Sequence, residues 1–262
     1  DWGINGKASI HALKMDTLQL DTIYFTVKQD TTRMSLHGGV INGPKNPQIV
    51  FKSSFAGEIR NDDAELTLRY ENAKGETGVL FGVEGNGKGD GLAFTLIPEN
   101  PIIAFRKFHF VDHHNWIYLH KNMRLYANVD MADDEDMGFR IKSNRSDTVS
   151  LQNIDVELQR IRLSEISEVL PYLPALSGLF SAEANYVQTA TSLQVSAEAN
   201  IDELAYERQR IGDVALGVTW LPGERGKHYI STYLTHEGEE ILMADGSLHP
   251  SVTGKDSIEV NA

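Results

Sequence analysis

Met123-Arg-Leu-Tyr-Ala-Asn-Val-Asp-Met131 puts an apolar side chain at every odd position and a polar or amphipathic one between. A period of two is the signature of a β-strand with one dry face and one wet face. The same alternation recurs upstream, in Ile23, Phe25 and Val27, then Met34 and Leu36. It continues in Ala64, Leu66, Leu68 and Tyr70, in Val79, Phe81 and Val83, and in Leu92, Phe94 and Leu96. Downstream it returns in Met137, Phe139 and Ile141, and in Leu193, Val195, Ala197 and Ala199. Val214, Leu216, Val218 and Trp220, then Ile230, Thr232 and Leu234, complete the series.

Polar turn signals separate these runs: Asn61-Asp-Asp63, Asn72-Ala-Lys-Gly75, Asn86-Gly-Lys-Gly89, Asp133-Asp-Glu-Asp136, Asn144-Arg-Ser146 and Pro222-Gly-Glu-Arg-Gly226. Short strands joined by short turns indicate a meandering, mostly antiparallel all-β fold. Long helical patterns between strands are missing, which argues against a parallel α/β sheet.

One stretch departs from this rhythm. Leu163, Ile166, Leu170 and Leu173 have helical spacing, with Glu165 and Glu168 in the first turn, where the helix dipole favours negative charge. Ser164 is the candidate N-cap, Pro171 and Pro174 limit the helix, and Gly178 ends it. A short helix is expected near 164–170, extending irregularly to about 176. The division expected from this break is a β-rich meander over 1–162 and a second β region over 163–262 opened by the helix; one continuous elongated domain is the alternative. A five-residue echo, Ser181-Ala-Glu-Ala-Asn185 and Ser196-Ala-Glu-Ala-Asn200, is consistent with neighbouring strands of a repetitive sheet.

Composition narrows the function. The 262 residues carry a formal net charge of −13 with only short basic stretches, such as Arg106-Lys107 and Arg208-Gln-Arg210, which argues against nucleic acid as a partner. No cysteine is present, so disulfides, thiolate catalysis and cysteine metal sites are excluded. The chain opens on Asp1 and has no apolar run near the ~20 residues of a membrane span. It therefore reads as a mature form or a fragment, with any membrane anchor outside it.

His109, Asp112, His113, His114 and His120 are the residues that invite a metal. Phe108 to Phe110 and Trp116 to Leu119 read as two strands around a turn at 112–115, which would splay the histidines rather than converge them; no metal is expected. The acidic run from Asp130 to Asp136 lacks the spacing of a calcium loop and reads as a hairpin tip. Gly87-Lys88-Gly89 lacks the Ser or Thr and the helix of a phosphate loop. No Gly-x-Ser-x-Gly elbow and no cysteine occur, so nucleophilic catalysis has no candidate; no catalytic residue and no cofactor are expected, and the chain is read as not an enzyme.

Several segments carry a family likeness. Leu170-Pro-Tyr-Leu-Pro174 leads into Leu176-Ser-Gly178-Leu-Phe180-Ser-Ala182, a short helical piece giving way to a small-residue strand. Leu204-Ala-Tyr206 precedes Arg210-Ile-Gly212-Asp213 and the strand of Val214, Leu216 and Val218. Ala244-Asp-Gly246-Ser-Leu248 closes the stretch, and Pro98-Glu-Asn-Pro-Ile-Ile-Ala104 lies upstream. These resemble the TamB family of the AsmA-like superfamily, and the upstream half resembles its longer Bacteroidetes-type members.

The resemblance implies a long sheet curled into a trough with an apolar interior, part of a lipid conduit or a scaffold for outer-membrane protein assembly. It implies a periplasmic segment of an inner-membrane-anchored protein. Phospholipid acyl chains are the implied partner, together with an outer-membrane barrel assembly protein reached through parts outside this segment. Groove-lining candidates are Leu66, Leu68, Phe94, Leu125, Val129, Val195, Leu216 and Val218. Their alternative role is to fill a closed core, since alternation assigns a shared face without saying what that face meets. A β-rich adhesin or carbohydrate-binding module, with Trp2, Trp116 and Trp220 as an aromatic platform, is the rival reading; a glycan-active enzyme is a third.

Overall fold

Turn chemistry sets the strand lengths. Asn61, with φ of 49°, turns the chain immediately after Arg60, and Glu237 and Gly238, with φ of 52° and 78°, do the same after His236. Glu207 and Arg208 adopt φ of 46° and 71°. Paired positive φ values twist a two-residue turn in the sense that matches right-twisted strands. Asp30 works differently: its Oδ1 accepts the N–H groups of Thr32 and Arg33 at 3.0 and 2.8 Å and closes a side-chain-built turn.

A computed structural model describes residues 3–16, 18–170, 172–249 and 257–261. The chain divides into two compact units, 1–121 with 165–173, and 122–164 with 174–262. The first unit contains β1 (Asn5–Met15), β2 (Leu18–Gln29), β3 (Arg33–Asn42), β4 (Phe51–Arg60) and β5 (Asp63–Asn72). It continues with β6 (Thr77–Lys88), β7 (Gly91–Ile103), the two-residue β8 (Arg106–Lys107) and β9 (His109–His120). Each of β1 to β7 pairs antiparallel with its sequence neighbour, and β7 also pairs with β9.

The second unit contains β10 (Leu125–Ala132), β11 (Gly138–Ser143), β12 (Gln152–Arg162), β13 (Leu176–Gln188) and β14 (Leu193–Tyr206). It ends with β15 (Gln209–Pro222), β16 (His228–His236), β17 (Glu239–His249) and β18 (Ser257–Asn261). These too form a continuous antiparallel meander. The fold is therefore all-β and mostly antiparallel, open rather than closed into a barrel, with one short α-helix among the described residues, α1 (Leu163–Val169). By packing, the first unit ends at Lys121 and takes in residues 165–173.

A buried cluster of the first unit lies where α1 meets the sheet. Phe51, Tyr70, Ala104 and Val169 form a buried cluster, with Val40, Ile49, Val79, Ile103, Phe105 and Ile166 around it. Phe51 and Tyr70 stack with centroids 5.8 Å apart, and Phe105 meets Tyr70 edge-on at 6.4 Å. Burial holds the Tyr70 phenol above its ordinary pKa, with the charge of Glu168 adding to the effect. In the second unit Ala127, Val129, Met131, Met137 and Ile154 are buried.

Two local readings change. The histidine segment is not a hairpin: β9 runs unbroken from His109 to His120, and Asp112 and His113, with φ of 48° and 58°, distort the strand without reversing it. In sequence, a kink within one strand looks the same as a turn between two. The Asn86 to Gly89 turn sits later than expected, at Gly89 and Asp90, because β6 continues to Lys88. The acidic run does form a hairpin tip, in which buried Asp133 accepts the N–H groups of Glu135 and Met137, both at 2.8 Å.

Candidate functional site: the apolar face of the sheet

Register turns alternation within strands into continuous surfaces. Gly6, Val27, Leu36, Gly57, Leu66, Val83 and Leu96 stand opposite one another in turn from β1 to β7. Ala8, Phe25, Gly38, Phe55, Leu68 and Phe81 form the adjacent row on the same face. Met34, Ile59, Ala64, Gly85, Phe94 and Ile117 form a third. These three rows contain no polar side chain. The opposite face carries Lys28, Ser35, Glu58, Glu65, Glu84 and Thr95 in one such row. From β1 to β7 an apolar row spans six strand spacings of about 4.8 Å, or about 29 Å.

The apolar face is only partly covered. Phe25, Ile59, Leu66, Leu68 and Leu92 remain exposed. Glycines keep the surface low: a Cβ on Gly38 would lie 2.7 Å from the Phe55 ring, and one on Gly85 would lie 2.8 Å from the Phe94 ring. Each phenyl thus lies over the glycine opposite it, and the exposed surface is smooth hydrocarbon. Contiguous exposed apolar patches are uncommon on folded chains, which singles this face out as the candidate site.

The second unit repeats the arrangement with smaller residues at its centre. Val156, Ala184, Ala197 and Val218 form one row, and Leu158, Ala182, Ala199 and Leu216 the next. Four alanines thus floor a strip between larger walls on β12 and β15. The two copies of the Ser-Ala-Glu-Ala-Asn echo produce that floor, because they pair directly, Ser181 with Asn200 and Asn185 with Ser196. On the other face the glutamates of the echo, Glu183 and Glu198, stand opposite each other beside Glu157. They line a hollow of about 420 Å³ together with Asn185 and Tyr233. Desolvation, then the hydrogen bond and charge of Glu198, raises the pKa of the Tyr233 phenol.

Of the eight groove-lining candidates, Leu66, Leu68, Leu216 and Val218 are 37% to 45% exposed on these apolar faces. Phe94, Leu125 and Val195 are half-buried, Phe94 over Gly85 and Val195 opposite Tyr186 and Trp220. Val129 is 1% exposed and belongs to the core of its unit. Phe25, Ile59 and Leu92 are absent from the expected groove-lining set, and cross-strand register is what adds them to these faces.

The platform tryptophans are placed differently. Trp2 lies outside the described residues, Trp116 alternates with Ile117 onto the polar face of the first unit, and Trp220 lies on the apolar side of the second. The Trp220 indole N–H donates to His228 Nδ1 at 3.1 Å. Among the described residues no group of three or more His, Asp or Glu is placed to hold a metal ion, and no helix is long and apolar enough to cross a membrane. Compared with known proteins, the chain matches no family model, no curated protein and no solved structure.

Proposed function

We propose that this chain binds lipid acyl chains on the uncovered apolar faces of its sheet, as a non-enzymatic conduit or scaffold module of a Gram-negative envelope. The single observation that carries the reading is the run of cross-strand rows from β1 to β7 that is hydrocarbon throughout yet partly exposed. Moving a methylene from water onto such a surface is worth up to about 0.8 kcal/mol, so several in contact retain a chain without polar recognition. The wet opposite face keeps the protein dissolved. The TamB-like segments support a periplasmic location, an anchor in the inner membrane outside this chain, and a barrel assembly partner at the outer membrane.

The test is mass spectrometry of lipid retained by the chain purified from a Gram-negative host without detergent, with a closed β protein as the control. Phospholipid above control is expected, falling tenfold or more in Leu66→Glu and Leu216→Glu. Thr67→Glu, on the same strand as Leu66 but its polar face, should retain lipid as the parent does. Clean parent protein, or equal loss in all three variants, would sink the reading.

A further inference from the structure

Beneath α1 the apolar face of the first unit continues with little chemical change. Ile10, Ile23, Val40, Tyr70, Val79 and Ile103 occupy the next row toward the helix, with Ser53 its one polar interruption apart from the Tyr70 hydroxyl. Val40, Tyr70, Val79 and Ile103 differ from the uncovered rows in belonging to the packed cluster that Val169 and Ile166 of the helix also join.

The segment bearing those residues takes part in no ladder. β12 and β13 pair directly through Ile161 with Phe180 and Arg162 with Leu179. Residues 163–175 are therefore the loop of an already closed hairpin; at its end the Ala175 carbonyl accepts the Glu207 N–H at 2.8 Å, and residues before it can move without breaking a strand ladder. Gly178, at φ of 134°, stands at the base of that loop. The helix itself has seven residues, of which Val169 is buried, and a helix this short has little stability of its own. Leu170, Tyr172 and Leu173 stay exposed.

A few polar ties hold the segment down. Arg106 pairs with Glu165 through two nitrogens, one at 2.8 Å. The Tyr70 hydroxyl donates to the Glu168 carbonyl at 3.1 Å, and the Tyr172 hydroxyl donates to the Gln19 carbonyl at 3.0 Å while accepting from Asn42 Nδ2 at 2.7 Å.

We propose that the surface under α1 is a cryptic acyl-chain site and that residues 163–174 are its displaceable cover. An acyl chain sliding along the uncovered rows replaces the apolar contacts of Ile166 and Val169 with its own, so opening exchanges one hydrocarbon cover for another. The inference rests on the acyl-binding reading of the uncovered rows.

The absence of native cysteine allows a direct test. Single variants Val169→Cys and Ile166→Cys report the cover, and Ala104→Cys reports the surface beneath, where the native side chain is 1% exposed. Maleimide labelling is followed in rising urea and compared with global unfolding by circular dichroism. Below the unfolding transition all three thiols should label at least ~10-fold faster than global unfolding allows, with little urea dependence, the mark of local opening. Saturating lysophosphatidylcholine, kept below its micellar concentration, should speed labelling of Val169→Cys and Ile166→Cys about threefold or more and protect Ala104→Cys.

Labelling that follows global unfolding at every urea concentration overturns the cover. Lipid bound with Ala104→Cys labelled as before overturns the cryptic site and leaves the uncovered face standing. Local opening with no lipid bound to any form removes the acyl-binding reading, and the cryptic site with it.

Discussion

Gly38 and Gly57 lie on the same apolar face but face different neighbours. A Cβ on Gly38 would meet the Phe55 ring at 2.7 Å and the Tyr24 carbonyl oxygen at 2.9 Å; on Gly57 its nearest neighbour would be the Glu65 carbonyl oxygen at 3.5 Å. Gly38→Ala must lift Phe55, which stands 6.2 Å from Phe25, and overpacking of that kind costs about 1–3 kcal/mol. Gly57→Ala, free of such a clash and with a less flexible unfolded chain, should change stability by less than about 1 kcal/mol in either direction. Urea denaturation of the two variants checks this, and equal destabilisation would mean that the Phe55 ring does not depend on the space over Gly38.

Strand pairing in the second unit leaves an unfavourable charge ladder. Glu157, Glu183 and Glu198 are directly opposite on consecutive strands, and like charges so placed destabilise. Arg140 relieves one end, bonding Asp130 at 2.9 Å and Glu157 at 2.7 Å. Glu183→Gln should therefore stabilise the chain by about 0.2–1 kcal/mol at low salt. The gain should shrink in ~1 M salt, where screening is nearly complete at these separations. Urea midpoints at the two salt concentrations measure it; a salt-independent gain would point to packing rather than charge. The price of this ladder accompanies the alanine floor on the other face, since one repeated motif supplies both.

For the whole molecule, the formal charge of −13 acts on any encounter with a membrane. Anionic surfaces repel an acidic chain over about a Debye length, near 10 Å in 0.1 M salt. Under the acyl-binding reading, transfer of a labelled phosphatidylcholine out of vesicles should be several-fold slower when the vesicles contain phosphatidylglycerol. That difference should close as salt rises. Stopped-flow transfer kinetics at low and high salt decide it, and a rate indifferent to vesicle charge would show that the chain does not collect lipid by collision with the surface.

Read alone, the sequence yields the β class, the antiparallel order and the wet and dry faces of strands with clear alternation such as β5 and β10, though not those of β9, whose kink at Asp112 and His113 reads as a turn. Those follow from side-chain period and turn residues, which act over a few positions, as in Met123 to Met131 or at Asn61. It also located the helix, expected near 164–170 and found at Leu163–Val169, since the spacing of Leu163, Ile166 and Leu170 and the prolines beyond are local signals. Tertiary structure decided which dry positions stay open. Leu66 and Val129 read alike in sequence, yet one is exposed and the other buried, because alternation assigns a shared face without saying what packs on that face. The same reason explains α1: the helix was legible, but its place over Phe51 and Tyr70 depended on a polar clamp joining Arg106 to Glu165 and Gln19 to Tyr172, a meeting that no local pattern encodes.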